Sequence, residues 1–489
     1  MSLSLGIDVG TSSVKVTVVA AKGIIQSKAS QSYCFEEPQP DWKEISPEVW
    51  WEATRNALHQ LSITCDLSEI ISIGVTGQMH TPVLLTKDGV PACNSIMWND
   101  LRTKELVSSA KQAMEKAGEH NIAKILSTGS PAINLYWVRL NQPHVFSKIA
   151  HLISVPDWIV YKLTGVLGTD YSFASTSSLY SIEKKQWSED ALSYFGIPCS
   201  LLPTIEGSAI SVGKILDSAA SLTKLPKGIS VIRGLGDNPA SALSAGCLGR
   251  GNSMPAISLG TSGVFMYSHE GIYIPQSGKT VLYSRDGKDI QSLIQLSIQS
   301  CGNDIDWIVK RILGLRSFKF EDSAVEDIAY NMRKLMFFPH LNGEKTLFAD
   351  PDIRGCFLGL DLSTTRSELY RAVMEGISFG FKQIMDATEI SDNWTSIAIV
   401  GGGSKSGLWT EIIANVLGKT IYCLDNVSAG QGSALLASQV VSNRIFELPA
   451  EPHVLRKVVP QVSIQKSYTK KYHQYLRIKA ALDTVYSDN

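Results

Sequence analysis

The sequence contains no long apolar run and no paired cysteine motif. Its eight cysteines stand singly, without a CxxC pair or a Cys/His cluster, so neither a structural zinc site nor a disulfide framework is expected. No segment approaches the roughly 18 consecutive apolar residues of a membrane span. The first residues, MSLSLGIDVG, lack the charged region that opens a signal peptide. These absences predict a cytoplasmic, reduced protein with no membrane partner.

An excess of charge of one sign is also missing. Lys plus Arg number 45 against 46 Asp plus Glu, which gives a net charge of −1, so no general attraction to nucleic acid is expected. Apolar residues make up 44% and charged residues 19% of the 489 positions, a composition typical of folded globular chains. At about 150 residues per domain, this length predicts two or three domains.

Short apolar strands alternate with helical segments along the chain, which predicts an α/β fold. The predicted strands cover residues 4–7, 14–20, 72–75, 229–232, 256–259 and 397–400. The predicted helices cover residues 47–61, 101–117, 364–388 and 407–417. Residues 468–482 place tyrosines at helical spacing and predict a packed helix with a solvated basic face, and the Trp50-Trp51 pair predicts core packing.

A segment near the N-terminus recurs half a chain later. Residues 6–15 read GIDVGTSSVK and residues 257–265 read ISLGTSGVF, so each is a strand, a Gly-Thr-Ser turn and a second strand. The recurrence predicts two related domains, residues 1–246 and 247–489. Their boundary is expected in the small-residue segment 245–251.

Three glycine-containing turns are candidates for binding nucleotide phosphates, because their N–H groups and hydroxyls form concavities suited to anions. The residues are Gly10, Thr11 and Ser12 of the first turn, Gly260, Thr261 and Ser262 of the second, and Gly402, Gly403 and Ser404 of the third. Asp8 precedes the first turn and suits a hydrated magnesium ion. A plain hairpin is the alternative for the first turn, and a flexible loop for the third. Together the turns favour a nucleoside triphosphate, although neither GxGxxG nor the P-loop motif is present.

A carboxylate follows the strand predicted at 229–232. Residues 234–242 read GLGDNPASA, which predicts a helix with Asn238 as N-cap and Pro239 as its first residue. Asp237 would then stand just before the helix N-terminus, where the helix dipole favours an ionised carboxylate. Such a group can accept a proton from a substrate hydroxyl. An accessory cap is the alternative role for Asp237.

Hydrogen-bonding side chains are concentrated around one tryptophan. Gln78 and His80 follow the strand at 72–75, and the segment 98–102 reads WNDLR. Polar groups beside the indole of Trp98 suit a polyhydroxylated ligand, and the side chains of Asn99, Asp100 and Arg102 are expected to contribute. A structural histidine and a core tryptophan are the alternatives.

These segments together resemble the FGGY family of carbohydrate kinases over essentially the whole chain. In order, the resembling segments are GIDVGTSSVK at 6–15, WKE at 42–44 with the following Trp50-Trp51, GQMH at 77–80, WNDLR at 98–102, GDN at 236–238, SLGTSG at 258–263 and GGGS at 401–404. The GQMH and GDN segments resemble members that phosphorylate xylulose rather than members acting on glycerol or ribulose.

The resemblance implies a two-domain actin/hexokinase-like (ribonuclease H-like) ATPase fold, with ATP and Mg²⁺ in the cleft between the domains. It implies phosphorylation of a ketopentose, with D-xylulose converted to D-xylulose 5-phosphate. By the same resemblance Asp237 is the catalytic base and Asp8 lies at the magnesium–phosphate site. The implied sugar site consists of Gln78, Met79, His80, Trp98, Asp237 and Asn238. The implied partners are the sugar and ATP, and the choice between a monomer and a homodimer is left open.

Three other functions are compatible with the sequence: an FGGY kinase for another pentulose, a polyol or gluconate, an actin-like ATPase without a metabolic substrate, and a weakly catalytic sugar-binding regulator. The chain also departs from common family residues at several positions. These are Thr81 for Gly, Asn134 for Lys, Pro239 for Ala, Lys345 for Arg and Leu347 for Pro.

Overall fold

The computed structural model describes residues 3–20, 23–248, 253–315, 335–344, 352–388, 393–443 and 453–487. The strands of the first half are β1 (Leu3–Val9), β2 (Ser13–Val19), β3 (Ile25–Ser32), β4 (Glu44–Ile45), β5 (Ile70–Gly77), β6 (Pro82–Thr86), β7 (Ser95–Ile96), β8 (Ile149–Ser154), β9 (Thr169–Asp170), β10 (Tyr180–Ser181), β11 (Gln186–Trp187), β12 (Ile205–Glu206), β13 (Ser211–Lys214) and β14 (Ser230–Ile232). Those of the second half are β15 (Ala256–Leu259), β16 (Gly263–His269), β17 (Lys279–Ser284), β18 (Ile290–Ile298), β19 (Met336–Phe338), β20 (Cys356–Leu358), β21 (Ser396–Val400), β22 (Thr420–Leu424) and β23 (Val454–Val458). Each predicted strand overlaps an observed one.

The α-helices are α1 (Pro47–Thr64), α2 (Lys104–Lys116), α3 (His120–Ile125), α4 (Pro131–Asn141), α5 (Pro143–Phe146), α6 (Val155–Thr164), α7 (Tyr171–Thr176), α8 (Glu189–Phe195), α9 (Asp217–Thr223), α10 (Asp237–Ser244), α11 (Gly302–Asp306), α12 (Arg366–Asp386), α13 (Gly407–Leu417), α14 (Ala429–Ser442) and α15 (Val462–Ser487). The four predicted helices correspond to α1, α2, α12 and α13. Their ends move by up to three residues, as expected for boundaries read from a pattern.

Two large mixed sheets form the two domains of the molecule. In the described part of the chain, the first has strand order β13-β14-β5-β1-β2-β3 and the second β17-β18-β16-β15-β21-β22-β23. In the first sheet, β1 pairs antiparallel with β2 and parallel with β5. In the second, β15 pairs antiparallel with β16 and parallel with β21. The recurring sequence therefore corresponds to a recurring strand arrangement, while the division between residues 246 and 247 stays a prediction.

Each sheet is covered by helices whose apolar faces fill a core. Trp50 and Trp51 of α1 are buried against the first sheet, which confirms the predicted packing. Tyr475 of α15 is buried in the second core. The predicted basic face of α15 is only partly solvated, because Lys479 is buried and Lys471 forms an ion pair with Glu375.

Two helices join the domains. α14, late in the sequence, packs across β1, β2 and β5 of the first sheet and against α10. α10 in turn shares a core with the second sheet, where Ala240 and Leu243 cluster with Val400. The two sheets are therefore connected through a shared apolar cluster.

Two predicted absences can be compared with the structure. All eight cysteines lie in the described part of the chain and are free thiols, as predicted. In the described ranges, no helix is both long enough and apolar enough to cross a membrane.

Candidate active site

The carboxyl ends of three parallel strands bring the predicted residues of the first domain together. β14, β5 and β1 are adjacent and parallel, so the segments that follow them lie along one edge of the sheet. Asp237 follows β14, Gln78 follows β5, and Asp8 ends β1. The fold thus gathers residues that are as many as 229 positions apart.

The first Gly-Thr-Ser turn is a tight connection between β1 and β2. The Gly10 N–H donates to the Ser13 carbonyl at 3.0 Å, and the Tyr33 hydroxyl donates to the Gly10 carbonyl. Thr11 accepts a hydrogen bond from Trp98 Nε1 at 3.1 Å. The turn therefore has the geometry of a hairpin, and hydrogen bonds from Tyr33 and Trp98 fix its position.

Asp8 is nearly buried and lies directly opposite Lys15 in the β1–β2 register. Burial raises the pKa of Asp8 to about 6, while the positive charge of Lys15 opposes the shift. Because burial disfavours the charged form of this carboxyl group, a second cation nearby would stabilise its ionised state. Mg²⁺ needs few protein ligands, because it keeps most of its waters and binds phosphate oxygens. The site therefore fits the ion, although the described residues contain no cluster of three or more metal-ligating side chains.

Asp237 is the first residue of α10, and Gly236 is the N-cap. The prediction of Asn238 as N-cap was wrong, because the helix begins earlier and Pro239 falls in its first turn, where proline is tolerated. Burial, followed by the negative charge of Asp8, raises the pKa of Asp237 to about 7. The two carboxylates therefore share one electrostatic environment. Asp237 Oδ1 also accepts the Asn238 N–H at 2.8 Å.

A layer of buried polar groups supports the Asp237 turn from below. The Gly236 N–H donates to Ser172 Oγ at 2.8 Å, and the Ser172 hydroxyl donates to Asp170 Oδ1 at 2.7 Å. Ser208 donates to the other Asp170 oxygen at 3.0 Å. Met79 packs so closely on Gly236 that a side chain there would overlap it. The position of Asp237 is thus fixed by residues from several elements.

The predicted sugar residues border this turn. Met79 is buried, His80 is half-buried, and Trp98 is 43% exposed. Burial and then the nearby charge of Lys279 lower the pKa of His80 to about 4. His80 is therefore neutral at physiological pH and can both donate and accept a hydrogen bond.

Asp100 and Arg102 do not contribute to this surface, contrary to the prediction. Arg102 donates to Asp100 and Glu44, each at 2.7 Å, and its guanidinium lies over the rings of Trp42 and Trp137. Both charged side chains are buried. They form an internal ion pair that stabilises the segment after Trp98.

The two turns predicted for the second domain directly follow two of its parallel strands, β15 and β21. Gly260, Thr261 and Ser262 follow β15, and α11 begins against them, with the Gly302 N–H donating to the Gly260 carbonyl at 3.0 Å. Gly402, Gly403 and Ser404 form a short 3₁₀ turn after β21.

The third turn has room for an added side chain at Gly402 but not at Gly403. A side chain at Gly402 would meet open space, whereas one at Gly403 would overlap Trp409. The Ser404 hydroxyl is buried and donates to the Gly401 carbonyl at 2.7 Å. A ligand therefore reaches this turn at Gly402 and the adjoining backbone.

One hydrogen bond crosses from the sugar residues to the second domain. Asn238 Nδ2 donates to Gln295 Oε1 on β18 at 3.4 Å. Lys279 lies opposite Gln295 in the β17–β18 register and close enough to lower the pKa of His80. These two second-domain residues were not predicted. Lys15 was also missed as a partner of Asp8, although the two are symmetrically placed about the first turn in the sequence.

The departures from common family residues have varied environments. Asn134 is buried, and its Nδ2 donates to the Ile96 carbonyl at 3.3 Å. Thr81 is buried and hydrogen-bonded to Gln78 and Trp98. Lys345 and Leu347 lie outside the described residues.

Known proteins resemble this chain over most of its length. Residues 3–244 match the N-terminal domain and residues 256–439 the C-terminal domain of the FGGY family of carbohydrate kinases. The chain is 31% identical over 445 residues to the xylulose kinase of Bacillus subtilis, covering 90% of this chain and 88% of that protein. It is 28% identical over 491 residues to the xylulose kinase of Staphylococcus xylosus, covering 98% and 100%.

Solved structures of xylulose kinases have the same fold. The crystal structure of xylulose kinase from Rhodospirillum rubrum superposes with a TM-score of 0.89 at 23% identity, covering 99% of this chain and 100% of that one. The two-domain fold and its matches define a sugar kinase, a phosphotransferase that uses ATP. The chain belongs to the FGGY family of carbohydrate kinases.

Proposed function

We propose that the protein transfers the γ-phosphoryl group of Mg-ATP to a ketopentose, with D-xylulose as the acceptor and D-xylulose 5-phosphate as the product. The observation that supports this most directly is the position of Asp237. It lies close enough to Asp8 at the edge of the first sheet for the two charges to interact, directly after the glycine that packs on Met79 and directly before Asn238, which contacts the second domain.

Asp237 is proposed to accept the proton of the acceptor hydroxyl as that oxygen attacks phosphorus and the bond to the β-phosphate oxygen breaks. Its pKa of about 7 suits a general base that works near neutral pH. Phosphoryl transfer asks mainly for positioning and charge stabilisation from the protein. The first and second Gly-Thr-Ser turns would supply N–H and hydroxyl donors to the phosphates, and Gly402 would border the adenosine.

Asp8 would hold Mg²⁺ through its waters, and the ion would neutralise phosphate charge when bound. His80 and Asn238 would bind acceptor hydroxyls, with Trp98 against the C–H face of the sugar. Closure of the cleft would exclude water, which otherwise competes as acceptor. Another pentulose, a polyol or gluconate is the alternative acceptor class.

The test measures ADP release with Mg-ATP and D-xylulose, L-xylulose, D-ribulose, L-ribulose, glycerol or gluconate. D-xylulose should give the highest kcat/KM. Asp237→Asn should lower it at least a hundredfold, because general-base catalysis is lost, while the affinity for ATP is unchanged. Asp217→Asn, which removes an exposed carboxylate on α9, is the matched control and should behave as the natural protein does.

Two outcomes would contradict parts of the proposal. Higher activity with another acceptor would replace D-xylulose but keep the mechanism. Equal loss of ATP binding and turnover in Asp237→Asn would assign Asp237 a structural role at the start of α10.

A further inference from the structure

We infer that Thr81 couples acceptor binding to the position of the first Gly-Thr-Ser turn, an inference that rests on the proposed kinase function. The Thr81 side chain is fully buried. Its hydroxyl accepts the Trp98 backbone N–H at 3.1 Å and donates to Gln78 Oε1 at 3.0 Å. One hydroxyl thus fastens the segment after β7 to the segment after β5.

Both segments continue to the phosphate turn by separate hydrogen bonds. Gln78 Nε2 donates to the Gly10 carbonyl at 3.4 Å, and Trp98 Nε1 donates to Thr11 Oγ1 at 3.1 Å. The result is a closed ring of hydrogen bonds, here called the Thr81 link, that consists of Gly10, Thr11, Gln78, Thr81 and Trp98. Thr81 hydrogen-bonds to both Gln78 and Trp98, and these two residues bond to the turn. Thr81 therefore connects the two sides of the ring.

Exposure differs sharply within the Thr81 link. Trp98 is 43% exposed, whereas Gln78 and Thr81 are buried. An acceptor that packs on the indole therefore moves or orders the most exposed member of the link. Hydrogen bonds that reinforce one another transmit that change to the turn; the bond between Thr81 and Gln78 is buried, the one between Gln78 and Gly10 is partly buried, and the one between Trp98 and Thr11 is exposed. The effect connects the surface proposed to bind the sugar with the turn proposed to hold phosphates.

Thr81 is a positioning residue rather than a catalytic one, because it is buried and acts through Gln78 and Trp98. Coupling of this kind has a thermodynamic signature: the acceptor changes the affinity for nucleotide, and the nucleotide changes the affinity for acceptor by the same factor.

The experiment measures binding of a non-hydrolysable ATP analogue with Mg²⁺ by calorimetry, with and without saturating sugar, together with kcat and both KM values. The sugar is whichever acceptor the natural protein phosphorylates. In Thr81→Val, which keeps the shape and removes the hydroxyl, the coupling factor should fall roughly fivefold or more toward 1. kcat should fall by about tenfold, the effect of one lost hydrogen bond in the transition state.

Thr81→Ser should restore both values, because it keeps the hydroxyl. Thr86→Val is the matched control on β6, since the Thr86 hydroxyl is buried without a hydrogen-bond partner among the described residues, and it should leave the coupling unchanged. If Thr81→Val does not fold, Trp98→Phe breaks the ring at its exposed member and should reduce the coupling in the same way.

Several outcomes would overturn the inference. Natural coupling in Thr81→Val, or in Trp98→Phe when Thr81→Val does not fold, would do so, as would a Thr81→Ser variant as impaired as the valine. A natural protein that phosphorylates sugar with a coupling factor of 1 would also overturn it while leaving the proposed function intact. No transfer to any acceptor would overturn both.

Discussion

Asp304 shows how far a single buried carboxyl departs from its behaviour in water. Its side chain is fully buried in α11, directly behind the second Gly-Thr-Ser turn, and neither carboxylate oxygen has a hydrogen-bond partner among the described residues. Burial raises its pKa to about 7, and the Ser300 hydroxyl, whose geometry falls short of a hydrogen bond, opposes part of the shift. The folded protein therefore keeps a proton that the unfolded chain would release.

This predicts a pH-dependent contribution to stability. Between about pH 4, where the unfolded carboxyl titrates, and about pH 7 the free energy of unfolding should fall as pH rises, by at most about 1.4 kcal/mol per pH unit from this group. Asp304→Asn mimics the protonated form and should remove that slope. Urea unfolding at pH 5, 6, 7 and 8 should show the variant gaining stability over the natural protein as pH rises.

Asp306→Asn is the matched control, because Asp306 lies two residues later in α11 and is about half exposed. Its stability relative to the natural protein should vary little with pH. A difference between Asp304→Asn and the natural protein that stays constant from pH 5 to pH 8 would contradict the prediction.

Among the elements, α14 packs unusually closely, because it lies directly on the first sheet. Helix and strand approach until backbone touches backbone, which only glycine allows. A Cβ on Gly6 of β1 would overlap the Gly430 carbonyl oxygen, and one on Gly74 of β5 would overlap the Ser433 carbonyl oxygen. Asp8 lies on the same face of the sheet, where its Cβ is close to Gly430, so this packing also helps to position the first Gly-Thr-Ser turn.

Gly6→Ala should therefore destabilise the protein by roughly 1–3 kcal/mol, the usual cost of overpacking a core. Gly402→Ala is the control for stability, because its side chain would enter open space at a backbone conformation that alanine can adopt. Thermal unfolding should show a lower Tm for Gly6→Ala and a Tm near the natural value for Gly402→Ala. Equal Tm values for the two variants would show that α14 can move away without cost.

At the scale of the whole molecule, the proposed sugar site is bordered by residues of both domains. Several hydrogen bonds attach β17 and its neighbours to the first domain, including Ser175 Oγ to the Leu282 N–H at 2.9 Å and Lys124 Nζ to the Pro275 carbonyl at 2.8 Å. The β17–β18 pair then places Gln295 against Asn238. Movement of the second domain must therefore alter the surroundings of Asn238.

Gln295→Met should raise the KM for the acceptor by roughly fivefold to tenfold, because Asn238 loses the acceptor that orients its amide. The KM for ATP should change little, since the Gln295 side chain bonds to Asn238 and not to a residue of the three glycine turns. Steady-state kinetics with either substrate varied would separate the two constants.

Gln291→Met is the matched control on the same strand. Its Oε1 accepts a hydrogen bond from Tyr283 at 2.9 Å, away from Asn238, so both KM values should stay near those of the natural protein. Equal rises in the two KM values for Gln295→Met would indicate a general disturbance of the cleft and contradict a specific role at Asn238.

Structural features that depend on neighbours in the chain could be predicted from the sequence. Strand periodicity and Gly-Thr-Ser turns predicted β1, β2, β15 and the hairpins that they form, because these depend on neighbours in sequence. The recurring segment predicted two related domains, and the structure shows that the strand arrangement around β1 recurs around β15. The position of Asp237 after a strand was predicted as well, but not the true start of α10, since a glycine N-cap leaves no side-chain signal.

The sequence by itself predicted the fold class, two related domains and most residues of the candidate site, because the succession of strands along the chain and the chemistry of turns are local properties. Only the tertiary structure decided which polar groups were free for a ligand. It paired Arg102 with Asp100, brought Gln295 to Asn238 and linked Thr81 through Gln78 to the first Gly-Thr-Ser turn. Those pairings depend on distances between segments far apart in the chain, and on burial, which changes both hydrogen-bond needs and pKa values in ways that residue order does not reveal.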